Sequence, residues 1–362
     1  MKRFAPRPHY LCMKAFLGLL LALCAAAPLA AATCPFNIPV VTIPPQQING
    51  YSWGSVIRPM NDACVSAIAV EPANASEWYA GSQTALYRTT NAGATWTTAP
   101  IGGPVTALLM THDSGLQLVY AGVGTKLWLT KDHGANWNVI HTFGATVQSL
   151  LVANGTLYVG QAWSTHAVPS GIWTSNLGGG LGQFHPFGAG QTGLIVHTLA
   201  RDPLSGAVYA GTEIFDHLPQ PYHPPFFRSD NNGMTWTNVA GTLPWHVVAS
   251  AVRPTDGWVY ALTEGAGLFV SANKGATWHP LANNPAPSDS LLMDAKVPTR
   301  LFGGRQKSGN IPGGIFVSTN AGQTFTPIGL QGATVAGLAM NGAGTRIYAA
   351  VYASGIYVSP VP

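Results

Sequence analysis

The sequence predicts an all-β chain, a seven-bladed β-propeller closed by an N-terminal strand that completes the last blade. Three observations carry this. An aromatic residue set among small or β-forming neighbours recurs seven times, at Tyr79, Tyr120, Tyr158, Tyr209, Tyr260, Phe302 and Tyr348. A turn phrase ("TTNAGATW", "TKDHGANW", "SDNNGMTW", "SANKGATW", "STNAGQTF") recurs in step with it, and the glycines of this series fall at 93, 134, 178, 233, 275 and 322. Near the start, "QINGYSWGSV" (47–56) holds only the back half of that phrase, as Gly50, Ser52 and Trp53. Units of four short strands repeated every 40–55 residues read as propeller blades.

Residues 1–32 read as a secretory signal peptide. Lys2, Arg3, Arg7 and Lys14 precede or flank the apolar run "AFLGLLLALCAAAP", and "LAAATC" offers small residues for cleavage. Met13 would also open a complete signal, so translation could begin at either Met1 or Met13. No other stretch is long and apolar enough for a membrane helix. The expectation is a secreted or periplasmic protein without membrane insertion. Of the 17 Lys and Arg, four lie in the leader, which holds none of the 13 Asp and Glu. The mature chain is therefore near neutral and gives no electrostatic argument for nucleic acid. Cys12 and Cys24 leave with the leader; Cys34 and Cys64 remain, and in an oxidising compartment a disulfide between them is expected.

Residues 33–49 form an N-terminal arm, and the propeller spans 50–362. In each unit an apolar run such as "VSAIAV", "VTALLM" or "VQSLLV" precedes the aromatic marker. An aromatic-rich run such as "LYRTT" or "LFVSA" follows, and a fourth strand starts at the end of the turn phrase. No helix is evident beyond the signal. The last unit stops at "IYVSPVP" after three strands, and residues 50–58 are expected to supply its fourth by pairing near Ile356–Ser359. Closing the ring removes an exposed sheet edge.

The phrase resembles the Asp-box, or BNR-type, repeat. Its copies contribute Asn91, Gly93 and Trp96; Asp132, Gly134 and Trp137; Asn231, Gly233 and Trp236; Asn273, Gly275 and Trp278; and Asn320, Gly322 and Phe325. The copy at Thr174, Asn176 and Gly178 loses its aromatic to an insertion. The chemistry of the phrase is structural: Asn or Asp bonds the turn backbone, Gly takes positive φ and the aromatic packs between sheets.

Families with this repeat include sialidases, xyloglucan-cleaving propellers, sortilin-type receptors and photosystem II assembly-factor-like proteins. A sialidase needs a converging arginine triad. Arg88 and Arg228 instead share one strand position in two blades, and Arg58 sits in "VIRPM", whose order differs from the sialidase signature. The stretch "YSWGSVI…VSAIAVEPANASEWYAGS" is similar to the entry of the xyloglucan-cleaving propellers. Those carry a catalytic Asp where this chain reads Ser82, Gln83 and Thr84, and use two facing propellers. The single propeller is most similar to the photosystem II assembly-factor-like group, which implies protein binding without catalysis.

Loop length gives the remaining clue. The link between the second and third strands is 4 or 5 residues in blades 1, 2, 5 and 7, but 11 in blade 3, 14 in blade 4 and 10 in blade 6. Loops that grow on a rigid scaffold carry binding. The candidate ligand-binding residues on these links are Trp163, His166, Phe215, His217, Tyr222, His223, Arg305 and Lys307. Within blade 4, Glu213, Asp216, His217 and His223 match no defined metal-binding spacing, so neither a metal nor a cofactor is expected. No catalytic residue is assigned. The expected function is a monomeric binding or assembly module for a protein or glycan partner. The alternative is a polysaccharide-active glycosidase or lyase, for which Glu213, Asp216 and Glu264 are the available carboxyls.

Overall fold

A computed structural model describes residues 43–54, 57–59, 62, 64–162, 171–177, 185–186, 194–214, 226–281, 287–306 and 312–362. Its regular elements are all strands. Six sheets have four antiparallel strands, each hydrogen-bonded in chain order. Blade 1, for example, runs Val65–Val70, Trp78–Ser82, Ala85–Thr89 and Thr97–Gly102. Blade 7 has three strands, Val335–Met340, Arg346–Val351 and Gly355–Pro360. The arrangement is a seven-bladed β-propeller.

The seven marker aromatics lie in the second strands and are buried. Burial pushes the Tyr120, Tyr158 and Tyr209 phenols up to about 12, so they stay neutral. Two residues after each marker the blades interlock. A Cβ on Gly122 would stand 2.5 Å from Val147 of the next blade, and one on Gly160 would stand 2.6 Å from Val196. Gly81 faces Val105 and Gly304 faces Val335 in the same way, and a Cβ on Gly211 would meet the Val247 carbonyl oxygen at 2.5 Å. At the closing seam Ala350 and Val65 share one cluster.

Those valines lie at or near the start of the inner strands, and each sits beside a register shift. The shifts lie at Val65/Ala67, Val105/Ala107, Val147/Ser149, Val196/Thr198, Val247/Ala249 and Val335/Gly337. Blade 6 departs from the pattern: its inner strand, Ser290–Met293, pairs without a shift. The facing position in blade 5 is correspondingly Leu262, buried with Leu291 in one cluster.

The turn phrase folds alike in five copies. The Thr or Ser hydroxyl accepts the glycine N–H at 2.8–3.0 Å, from Gly93, Gly134, Gly233, Gly275 and Gly322. The Asn or Asp side chain accepts the backbone N–H four residues on, as Asn91 does from Thr95 at 2.8 Å. At Gly93 φ is +86°, and at Gly275 it is +90°. Space excludes a side chain as well, since a Cβ on Gly134 would meet the Tyr79 hydroxyl of the preceding blade at 3.0 Å. The copy around Gly178 lies outside the described residues.

Closure follows the expected pairing and adds a strand. Ile57 forms an antiparallel bridge with Ile356, with both backbone hydrogen bonds at 2.8 Å, and Gly54 N–H donates to Val358 O at 3.3 Å. Gln46–Ile48, which the sequence reading left in the arm, pairs with Tyr51–Trp53 across an Asn49–Gly50 turn. The φ values of that turn, +52° and +83°, match the sign pattern at Ala92–Gly93. Trp53 is 1% exposed, and its indole N–H donates to Ile328 O of blade 6 at 2.6 Å. Trp278 does the same to Val239 O, beside the outer strand of blade 4, at 2.8 Å. Trp53 is thus the missing aromatic of the seventh phrase. Cys64 is buried; Cys34 lies outside the described residues.

Two predictions follow from this packing. Trp53→Ala should lower stability by about 3–5 kcal/mol in urea unfolding, because it removes a fully buried indole from the closing seam. A protein of unchanged midpoint would mean the seam does not hold the ring. The second concerns Asp132, the one acidic member of the five described copies. Hydrogen bonds from the Asn136 backbone and side chain, then from the Thr130 hydroxyl, hold its carboxyl at about 2. A carboxyl lowered in the folded state stabilises above its unfolded pKa, near 4, and that contribution is lost as pH falls toward 2. Asp132→Asn should therefore flatten the acid limb of a stability-against-pH curve in that window, and an unchanged limb would count against it.

Candidate functional site

Antiparallel order puts the ends of second and fourth strands, and the starts of first and third strands, on one face. The long links join that face. In blade 3 they separate Thr156–Gln161 from Ile172–Asn176; in blade 4, Val208–Ile214 from Phe226–Ser229; in blade 6, Leu301–Arg305 from Gly314–Ser318. Blade 1, by contrast, needs only the two residues between Ser82 and Ala85. Trp163, His166, Phe215, Asp216, His217, Tyr222, His223 and Lys307 lie outside the described residues.

Arg305 is described. Its guanidinium carbon stands 4.5 Å from the Phe316 ring centroid. Burial lowers its pKa, against the opposing charge of Asp289. Asp289 in turn accepts the Gln306 N–H at 2.6 Å. Arg305 therefore belongs to the wall of blade 6 at this face.

Beside the long link of blade 4 the structure assembles a group that sequence reasoning missed. His197 lies in the inner strand Leu194–Arg201, between the two residues of the Val196/Thr198 shift. A bulge of this kind re-aims its side chain. Glu213 lies near the end of the adjacent strand, opposite Ile195. His246 immediately precedes the inner strand of blade 5, Val247–Val252, and Glu264 immediately follows Val259–Thr263. His197 Nε2 is 2.9 Å from Glu213 Oε2. His246 Nε2 is 3.8 Å from that same oxygen and 2.6 Å from Glu264 Oε2. The two imidazoles stack, with centroids 5.3 Å apart and planes 20° apart.

The side chains of His197, Glu213 and His246 are 8%, 15% and 11% exposed, and that of Glu264 is 39% exposed. Burial alone would push the Glu213 carboxyl up. The His197 hydrogen bond and the charges of His246 and His197 outweigh it and hold the carboxyl below its ordinary range. Burial likewise opposes protonation of His246, and the Glu264 hydrogen bond with the Glu213 and Glu264 charges reverses the sign, raising its pKa.

A signal for this group was present in the repeat. Four residues after the marker the blades read Gln83, Gly124, Ala162, Glu213, Glu264, Gln306 and Tyr352. Carboxyls occur there only in the adjacent blades 4 and 5. At the bulge, Ser66, Thr106, Gln148, Val248 and Ala336 stand where blade 4 has His197.

The place where xyloglucan-cleaving propellers carry a carboxyl is also more than Ser82, Gln83 and Thr84. Asp62, 3% exposed, accepts from Thr84 Oγ1 and the Tyr87 hydroxyl at 3.0 Å each and from Cys64 N–H at 2.8 Å. Three donors on a buried carboxylate make it a brace for the first inter-strand turn. Trp245, next to His246 and 57% exposed, is a large apolar side chain left open to solvent. Among the described residues, no helix is long and apolar enough to cross a membrane.

No protein-family model and no curated protein matches the sequence. Solved structures are similar in shape. YCF48 bound to D1 peptide superposes with a TM-score of 0.59 at 14% identity, covering 90% of this chain and 100% of that one. The extracellular domain of a hybrid two-component system from B. thetaiotaomicron gives 0.62 at 14% identity, over 84% of this chain and 39% of that one. The GH74 xyloglucanase from Xanthomonas campestris gives 0.54 at 13% identity, over 83% and 66%. At these identities the likeness is one of fold, and the fold is the seven-bladed β-propeller.

Proposed function

We propose that the chain is an exported binding or assembly module that takes a protein or glycan partner on the face carrying the long links. In this reading residues 1–32 direct export, the mature protein is a monomer, and a Cys34–Cys64 bridge tethers the arm beside the closing strand. The observation that carries the reading is Trp245. Its side chain is open to solvent on the link between blades 4 and 5, beside His246 and on the same face as the long links of blades 3, 4 and 6. Aromatic anchors on rigid scaffolds bind well because ordering them costs little. The shared fold with YCF48, solved with a bound peptide, supports a protein partner; the fold shared with a xyloglucanase keeps a glycan in view.

The test is a comparison of variants. Replacing 215–225 with a short turn, and separately Trp245→Ala, should leave the unfolding midpoint nearly unchanged. Short links already serve other blades, and an exposed side chain contributes little to stability. Both changes should abolish or strongly weaken capture of the partner that wild type retains, measured by cross-linking with mass spectrometry and on a glycan array. Undiminished capture by both variants would contradict the proposal. Release of reducing sugar from xyloglucan by wild type would favour a hydrolase instead.

A further inference from the structure

We propose that His197, Glu213, His246 and Glu264 form a binding site for a divalent first-row transition metal, zinc by preference, that ties blade 4 to blade 5. The ligand atoms of His197, Glu213 and His246 all lie within 4.8 Å of one another. Both imidazoles present Nε2 to one oxygen, Glu213 Oε2, at 2.9 and 3.8 Å. Ligands held 2.0–2.1 Å from a tetrahedral zinc stand about 3.4 Å from each other. The two distances bracket that edge, each within about half an ångström of it. Glu264 Oε2 already touches the His246 nitrogen and, being the most exposed of the four, can swing to a fourth position.

Charge points the same way. Two stacked imidazolium rings 5.3 Å apart would repel, and with only one or neither ring protonated the two carboxylates are not fully compensated. A divalent cation with two neutral imidazoles and two carboxylates gives a neutral, fully engaged site. The donor set selects the class of ion. Imidazole nitrogen with carboxylate suits zinc and its neighbours; magnesium and calcium prefer all-oxygen shells, and copper(I) prefers sulfur. The placement is specific to these two blades, since the bulge histidine and the paired glutamates occur at no other copy of the repeat. The rival account is an ion-pair network in which a protonated His246 bridges two carboxylates and no metal binds.

Mature protein without an affinity tag, stripped with chelator and dialysed, separates the two. Titration with zinc by calorimetry, checked by competition with a chromophoric chelator, should give one ion per chain with a Kd of about 10 µM or tighter. His197→Ala and His246→Ala should each weaken binding about 100-fold, and Glu213→Gln about 10-fold or more. His279→Ala, an exposed histidine of blade 5, should leave it unchanged. Zinc should raise the wild-type melting temperature and leave that of His197→Ala unmoved. X-ray absorption should report nitrogen and oxygen ligands with imidazole scattering. His197→Gln and His246→Gln, with near-ultraviolet dichroism to confirm folding, replace any alanine variant that fails to fold. No binding at about 100 µM zinc, or unchanged stoichiometric binding by a folded variant carrying both His197→Gln and His246→Gln, would overturn the site.

Discussion

At five of the seven blade junctions one contact recurs, in which the inner-strand valine of one blade lies against the space left by a missing side chain in the blade before it. The pairs Gly81–Val105, Gly122–Val147, Gly160–Val196, Gly211–Val247 and Gly304–Val335 repeat it around the ring. The same valines flank the register shifts of the inner strands. The shift and the contact therefore belong together, since the valine that enters the neighbour lies at the point where the ladder slips. The exception fits. Where blade 6 pairs without a shift, blade 5 fills the vacant position with Leu262.

This constraint also explains how the site arises. A bulged inner strand carries one residue that the ladder does not pair; in blades 1 and 2 it is Ser66 or Thr106, whose hydroxyl donates to Val105 O or Val147 O of the next blade, and elsewhere its identity changes. In blade 4 it is His197, next to Val196, whose own side chain is locked against Gly160. Glu213 and Glu264 sit at the ends of the second strands, Glu213 as the last residue but one of Val208–Ile214 and Glu264 just past Val259–Thr263. Packing thus fixes the backbone to which these side chains are attached, and the chemistry sits on residues that packing does not need. The ring closes on the same terms: Trp53 takes the place of a phrase aromatic although its chain segment comes from the other terminus.

Much of the fold was legible because it repeats. The buried marker aromatics, the phrase glycines and the truncated phrase at Gly50 gave the blade count and the closing segment, and Ile57 meets Ile356 where pairing was expected. The strand Gln46–Ile48 was not legible: three residues with no alternation carry no periodic signal, and the Asn49–Gly50 turn was read as half of a phrase and not as a hairpin. The site was less legible still. Glu213 and Glu264 were noticed as carboxyls, but His197 and His246 sit inside or beside apolar runs. Only the register shift shows that His197 leaves the strand pattern. Arg305, Glu213 and His246 lie on the face that link length singled out. The aromatic and histidine candidates on the links themselves lie outside the described residues. Asp62 was overlooked because it reaches Thr84 from 22 positions away.

The central claim is that the glycine–valine contact, and not the turn phrase alone, couples blade to blade. A double-mutant cycle on Gly122→Ala and Val147→Ala, read by urea unfolding, tests it most directly. Gly122→Ala alone should cost about 1–3 kcal/mol, because its methyl meets Val147 at 2.5 Å. Val147→Ala removes the nearer, Cγ contact and leaves its Cβ at 2.8 Å, so the obstruction is relieved in part and the double variant should be more stable than the sum of the single losses by about 0.5 kcal/mol or more. Strict additivity of the two losses would contradict the account.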